Sequence, residues 1–119
     1  ISSSKTDLYG RTTYVSEAFC ELTGYSKEEF ISKKHSILKS KNTPKEVHKD
    51  LWLTIYSGHI WRGEFQNIKK DGSEYGVNEI IPHIFDKDKS INAYESIIQD
   101  ITLKKVLQEF NKKLEMASR

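Results

Sequence analysis

A chain with one cysteine, Cys20, cannot staple itself with an internal disulfide, so it fits a reducing, intracellular setting. It has no apolar run approaching bilayer length, and no signal-peptide pattern opens it. Direct membrane contact is therefore not expected. Charge of one sign is also scarce: 19 Lys and Arg stand against 17 Asp and Glu, a net charge of +2. That excess is too small to argue for nucleic acid as a partner. Catalytic signatures are missing as well. There is no glycine-bracketed serine elbow and no phosphate-cradling glycine loop. The 4 histidines and 1 cysteine show no metal-ligand spacing, so no metal site is expected. What remains is a single domain: 119 residues suffice for one core but not two. The chain begins at Ile1 without a methionine and closes on a charged helical segment, so it reads as a module of a longer protein.

The most informative stretch is Leu51 to Tyr75, which reads as a helix end, a glycine stop, a strand and a tight turn into a second strand. On the first of these strands, Ile60 to Ile68, alternation puts Trp61, Phe65 and Asn67 on one face and Arg62, Glu64 and Gln66 on the other. An amide thus lies on the apolar side of a sheet, where it needs a hydrogen-bond partner. A bound heteroaromatic ring would supply one.

Upstream, Thr12 to Val15 is β-prone, and Ser16 caps a helix over Glu17 to Leu22 that stops at Gly24. Ser26 to Glu29 has capping-box spacing. Thr43-Pro-Lys-Glu46 predicts a longer helix with Thr43 as its cap, running to about Ser57 with Gly58 as the exit. On it Val47, Leu51 and Ile55 form one stripe, and His48, Trp52 and Tyr56 the next. Lys70-Asp-Gly72 is a hairpin turn into a strand from Ser73 to Phe85, and Asp86 to Lys89 leads to a last strand, Ile91 to Ile101. This order predicts an α+β fold with helices on one side of an antiparallel sheet. From Leu103 the apolar residues Leu103, Leu107, Phe110, Leu114 and Ala117 recur at heptad spacing. The segment is read as a coupling helix that pairs with a second copy, against the alternative of a helix folding back on its own domain.

The blocks Thr6 to Val15, Glu17 to Tyr25, Trp52 to Tyr75 and the closing Asp100-Ile-Thr102 together resemble a PAS domain, the sensory module of histidine kinases, diguanylate cyclases and chemotaxis transducers. The resemblance implies the PAS fold, a five-stranded antiparallel sheet cupping a pocket beneath short helices. It divides the chain into a sensory domain, 1–102, and the start of a signalling coiled-coil helix, 103–119. Through His35-Ser-Ile-Leu38, Thr43-Pro44, Leu51-Trp52, Gly58, Trp61 and Asn67 the chain is most similar to flavin-binding redox and aerotaxis members. That similarity implies Trp52 beside an isoalloxazine ring and Asn67 bonded to its polar edge. His35, Phe65 and Trp61 complete the implied cofactor-binding set. The photosensory LOV branch carries a reactive cysteine where this chain has His35, so a blue-light adduct is not expected. Other departures are Ser16 where asparagine is commoner, Pro82 one place early, and Gly76 in place of a tryptophan.

Each site has a plainer alternative. Asn67 can bond a neighbouring backbone or a buried water, Trp52 and Trp61 can be core, and His35 can be a solvated loop residue. His48 raises a haem reading, since a neutral imidazole ligates iron. Cys20 is read as a small buried apolar residue, disfavoured as a thiolate by Glu17 and Glu21. The sequence therefore supports a non-enzymatic, cytoplasmic sensor module, with a place in a membrane-anchored receptor left open. It binds FAD (alternatively FMN or no cofactor) and reports redox state or oxygen to an output domain of the same polypeptide. It pairs as a homodimer through the helix from Leu103. The competing readings are a cofactor-free dimerising coupler and a pocket for a small metabolite. Gly76 bears on that choice, because space opened there would favour a ligand.

Overall fold

Short polar signals set most element boundaries in the computed structural model, which describes residues 1–118. The order is β1 (Ser2–Thr6), β2 (Thr12–Val15), α1 (Glu17–Thr23), α2 (Lys27–Phe30), a 3-10 turn (His35–Leu38), α3 (Lys45–Tyr56), β3 (Trp61–Ile68), β4 (Glu74–Ile81), β5 (His83–Phe85), β6 (Ile91–Asp100) and α4 (Thr102–Ala117). Ser16 caps α1 by accepting from the Phe19 N–H, and Gly24 ends it in the left-handed region at φ 81°. The Ser26–Glu29 capping box forms in full.

The strands make one antiparallel sheet in the order β2-β1-β6-β4-β3, with β5 a sixth strand pairing β6 off that path. The strand expected to run unbroken from Ser73 to Phe85 divides at Pro82, which has no N–H to give a ladder. The Pro82 carbonyl still accepts from Glu95, so β5 stays beside β6 while leaving β4. Strand β1 had no apolar alternation to announce it. It forms because β2 and β6 flank it and use both its edges.

The expectation that Thr43 caps α3 is corrected. Its hydroxyl accepts from the Gln66 N–H at 2.9 Å and donates to the Gln66 carbonyl at 2.7 Å. Strand β3 is an edge, so those two groups have no ladder partner, and Thr43 serves them instead of the helix. Just upstream, Lys39 forms an isolated antiparallel bridge to Asn67 on the same edge.

Helices and inward side chains build two apolar clusters on one face of the sheet. One contains Phe19, Phe30, Leu38, Tyr75, Val77 and Ile98; the other Leu51, Ile55, Trp61, Ile81 and Tyr94. Phe65 touches both. Helix α4 leaves this body after the buried Ile101, and none of its described residues is buried. Its sixteen residues extend about 24 Å. No described helix is long and apolar enough to cross a membrane.

Candidate functional site

Between the two clusters lies a cavity of about 360 Å³, floored by the sheet and walled by α3 and the 3-10 turn. That is within the roughly 300–1,000 Å³ that small-molecule sites occupy. Asn67 reaches it from β3. The side chain is 9% exposed, and its amide is best oriented with the nitrogen donating to the Leu38 carbonyl at 2.9 Å and the Gln66 carbonyl at 3.2 Å. Opposite it on β4 stands Tyr75, whose buried hydroxyl has the Asn67 side chain as its polar neighbour. Burial, the largest cause, holds that phenol far above its ordinary range.

His35 enters from the 3-10 turn. Its ring packs against Phe19 and Phe30 at centroid distances of 5.8 and 6.0 Å, and its Nε2 is buried with no partner. Burial lowers its pKa to about 4, so the imidazole is neutral at physiological pH. His48 comes from α3, edge-on to Phe65, and its Nε2 is likewise unpartnered. Burial and then Lys39 lower its pKa too.

Trp52 forms the mouth wall. It stacks on Tyr56 at 5.2 Å, and the backbone of Gly10 passes over its benzenoid edge. A Cβ on Gly10 would stand 2.8 Å from the indole, and φ there is +83°, so both space and backbone conformation require glycine. Lys34 and Lys39 also line the opening.

Of the residues singled out from sequence, Asn67, Trp52, His35, Phe65 and His48 therefore converge on one cavity. Trp61 does not line it. Its indole folds over Gly63 and donates to the Asp50 carboxylate at 3.0 Å, tying β3 to α3. Gly76 opens no space inside. A Cβ there would meet Gln66 Nε2 and Ile101 Cγ1 at 3.3 Å, on the sheet's outer face. Cys20 packs half-buried against the first cluster, and burial, ahead of Glu28 and Glu17, raises its thiol pKa. Residues not singled out also face the cavity, above all Glu79 and Ser96. The signal for Glu79 was available: it falls in phase with Tyr75, Val77 and Ile81, an acid among inward apolar positions.

The lining is largely aromatic and aliphatic, and its polar groups include an amide, two imidazoles with unpartnered nitrogens, a carboxyl and a few hydroxyls. That donor set fits a planar heteroaromatic ring with hydrogen-bonding edges. Among the described residues no cluster of His, Cys, Asp and Glu is arranged to hold a metal ion.

Comparisons with known proteins agree with this architecture. The chain is 29% identical over 109 residues to a nitrogen fixation regulatory protein of Klebsiella pneumoniae, covering 92% of the chain and 22% of that protein. It is 30% identical over 95 residues to the aerotaxis receptor of Escherichia coli K12, covering 79% of the chain and 18% of the receptor. The chain thus spans about a fifth of these relatives. Among solved structures, the PAS domain of the fruit-fly ELK potassium channel superposes with a TM-score of 0.79 at 21% identity, covering 85% of this chain and 86% of that one. The LOV domain of the photoreceptor Aureochrome1 superposes with a TM-score of 0.81 at 18% identity, covering 94% and 90%. The PAS domain family model matches residues 2–103, and the chain belongs to that family.

Proposed function

We propose that this PAS domain binds a flavin, FAD with FMN as the alternative, and reports redox state or oxygen to an output domain of the same polypeptide. The observation that carries the reading is the convergence of Asn67, His35 and Trp52 on one cavity of ligand size. Asn67 would hold the ring's hydrogen-bonding edge, with Trp52 and Phe65 flanking it and the free Nε2 of His35 as a further contact. Lys34 and Lys39 at the mouth suit a phosphate-bearing tail. Trp61 acts behind the site, holding α3 to the sheet through Asp50. The similarity to regulators of nitrogen fixation and aerotaxis supports a sensory role.

A bound flavin would supply reversible two-electron redox chemistry. This chain's part is to read the ring's hydrogen-bonding state. The Asn67 amide can present oxygen or nitrogen, and turning it withdraws the N–H from the Leu38 carbonyl. Residues 1–102 would form the sensor and 103–119 the start of the coupling helix, pairing with a second copy. A bias of a few kcal/mol between two packings of that helix is enough to pass the signal on. The module itself catalyses nothing; histidine kinase or diguanylate cyclase activity would lie in an attached domain. It would reside in the cytoplasm.

The test is an absorbance spectrum before and after incubation with FAD and removal of the excess. A two-banded flavin spectrum that bleaches on reduction and returns in air supports the reading. A Soret band would instead favour haem on His48, a residue of the cavity lining whose buried Nε2 has no partner. A colourless protein that takes up no flavin would favour the coupler or a metabolite pocket.

A further inference from the structure

The inward positions of β4 are Tyr75, Val77, Glu79 and Ile81. The third is a carboxylic acid, 7% exposed, whose neighbours in phase are apolar or aromatic. It lies opposite Gly63 of β3 and Ile98 of β6, and the Trp61 indole over Gly63 screens one side. Its polar neighbour is the Ser96 hydroxyl of β6, and the two side chains open together onto the cavity. Among the described residues no ion pair involves Glu79. An unpaired buried acid is costly, and an aliphatic side chain would pack there as Val77 and Ile81 do. Burial raises its pKa to about 7, so small changes of potential in the cavity change its protonation.

The other ionisable groups facing this space supply no nearby counter-charge. His35 from the 3-10 turn and His48 from α3 are held neutral by burial. Burial also raises the phenol pKa of Tyr75 on the same strand and of Tyr94 on β6. Lys34, Lys39, Tyr9 and Tyr56 stand exposed around the opening.

We propose that Glu79 is the proton-linked group of the cavity, a carboxylate that takes up a proton when a bound redox ring gains negative charge. The inference rests on the flavin reading. In a titration, dithionite gives up two electrons and is oxidised to sulfite. The ring accepts both electrons and one proton from water, gaining one negative charge. The Glu79 carboxylate takes a second proton from water, so the charge inside the cavity is unchanged. By linkage, the protonation state of Glu79 must shift the ring's midpoint potential to the same extent.

The experiment compares FAD-loaded wild type with Glu79→Gln, which keeps a partner for Ser96 but cannot ionise. Midpoint potentials are measured between about pH 7.5 and 9, above the carboxyl's pKa, together with reduced-minus-oxidised infrared difference spectra. The wild-type potential should fall with pH about twice as steeply as the variant's, two protons accompanying two electrons instead of one. Reduction should add a protonated-carboxyl band in wild type that Glu79→Gln lacks. Equal slopes with no carboxyl band in either protein overturn the inference and leave the flavin reading standing. Failure of wild type to take up flavin overturns both. If the variant does not fold, wild type with 13C-labelled glutamate carboxyls decides. Glu79 is the buried glutamate among the described residues, so the band must shift with the label or the inference falls.

Discussion

The Thr43 hydroxyl engages both backbone groups of Gln66, accepting from its N–H and donating to its carbonyl. With the neighbouring Lys39–Asn67 bridge, it closes the free edge of β3 and fixes where α3 begins over the cavity. Thr43→Val keeps the shape and removes both bonds, stranding two backbone groups. The expected loss is about 1–3 kcal/mol, seen as a lower urea midpoint with an unchanged m-value.

Gly76 is the floor on which the root of α4 sits. Its N–H donates to Thr102 Oγ1 at 3.0 Å, its carbonyl accepts from Ile101, and Lys105 pairs with Glu64 nearby at 3.0 Å. Gly76→Leu should push Ile101 and Lys105 off the outer face. Amide exchange should accelerate at the start of α4, while ligand uptake is retained because the change faces away from the cavity. Lost uptake with unchanged exchange would count against this geometry.

Two buried groups shape the pH dependence of stability with opposite sign. The pKa of Glu79 is raised from 4.5 to about 7, so the stability its protonated form contributes is full below 4.5 and is lost as pH rises through 7. The pKa of His35 is lowered from 6.5 to about 4, so its contribution is present above 6.5 and is lost as pH falls through 4. Glu79→Gln should flatten the decline between about pH 5 and 8, an effect on the order of 3 kcal/mol. His35→Gln should flatten the acid limb alone. Thermal melts of the ligand-free protein across pH measure both.

Asn67 and Trp61 share a strand face yet should behave differently. Asn67→Ala is expected to abolish redox signalling in protein that still holds flavin, because the amide is the reader. Unchanged signalling in such a holoprotein would sink the mechanism. Trp61→Phe loses the bond to Asp50, at a cost of about 1–3 kcal/mol of stability, and should leave the flavin spectrum unaltered.

Helix α4 exposes Leu103, Leu107, Phe110 and Leu114 along one seam. If that seam pairs with its copy, the chain 1–119 dimerises with concentration while 1–102 remains monomeric. Sedimentation of both should separate them, and a monomeric full chain would return α4 to a single-copy role.

Local chemistry made much of this legible from residues alone. The caps at Ser16 and Ser26, the Gly72 turn and the inward phase of Trp61, Phe65 and Asn67 depend on neighbours a few positions away. Long-range partners decided the rest, because their pairing leaves no local pattern. Strand β1 exists through its ladders with β2 and β6, and Thr43 turns from its helix to an edge 23 residues on. Asp50 holds Trp61 away from the cavity, and Ile101 and Lys105 fill the space Gly76 leaves. Alternation alone turned Glu79 inward; the tertiary structure decided that the space before it is a cavity, since that space exists only where α3 and the 3-10 turn stand off the sheet.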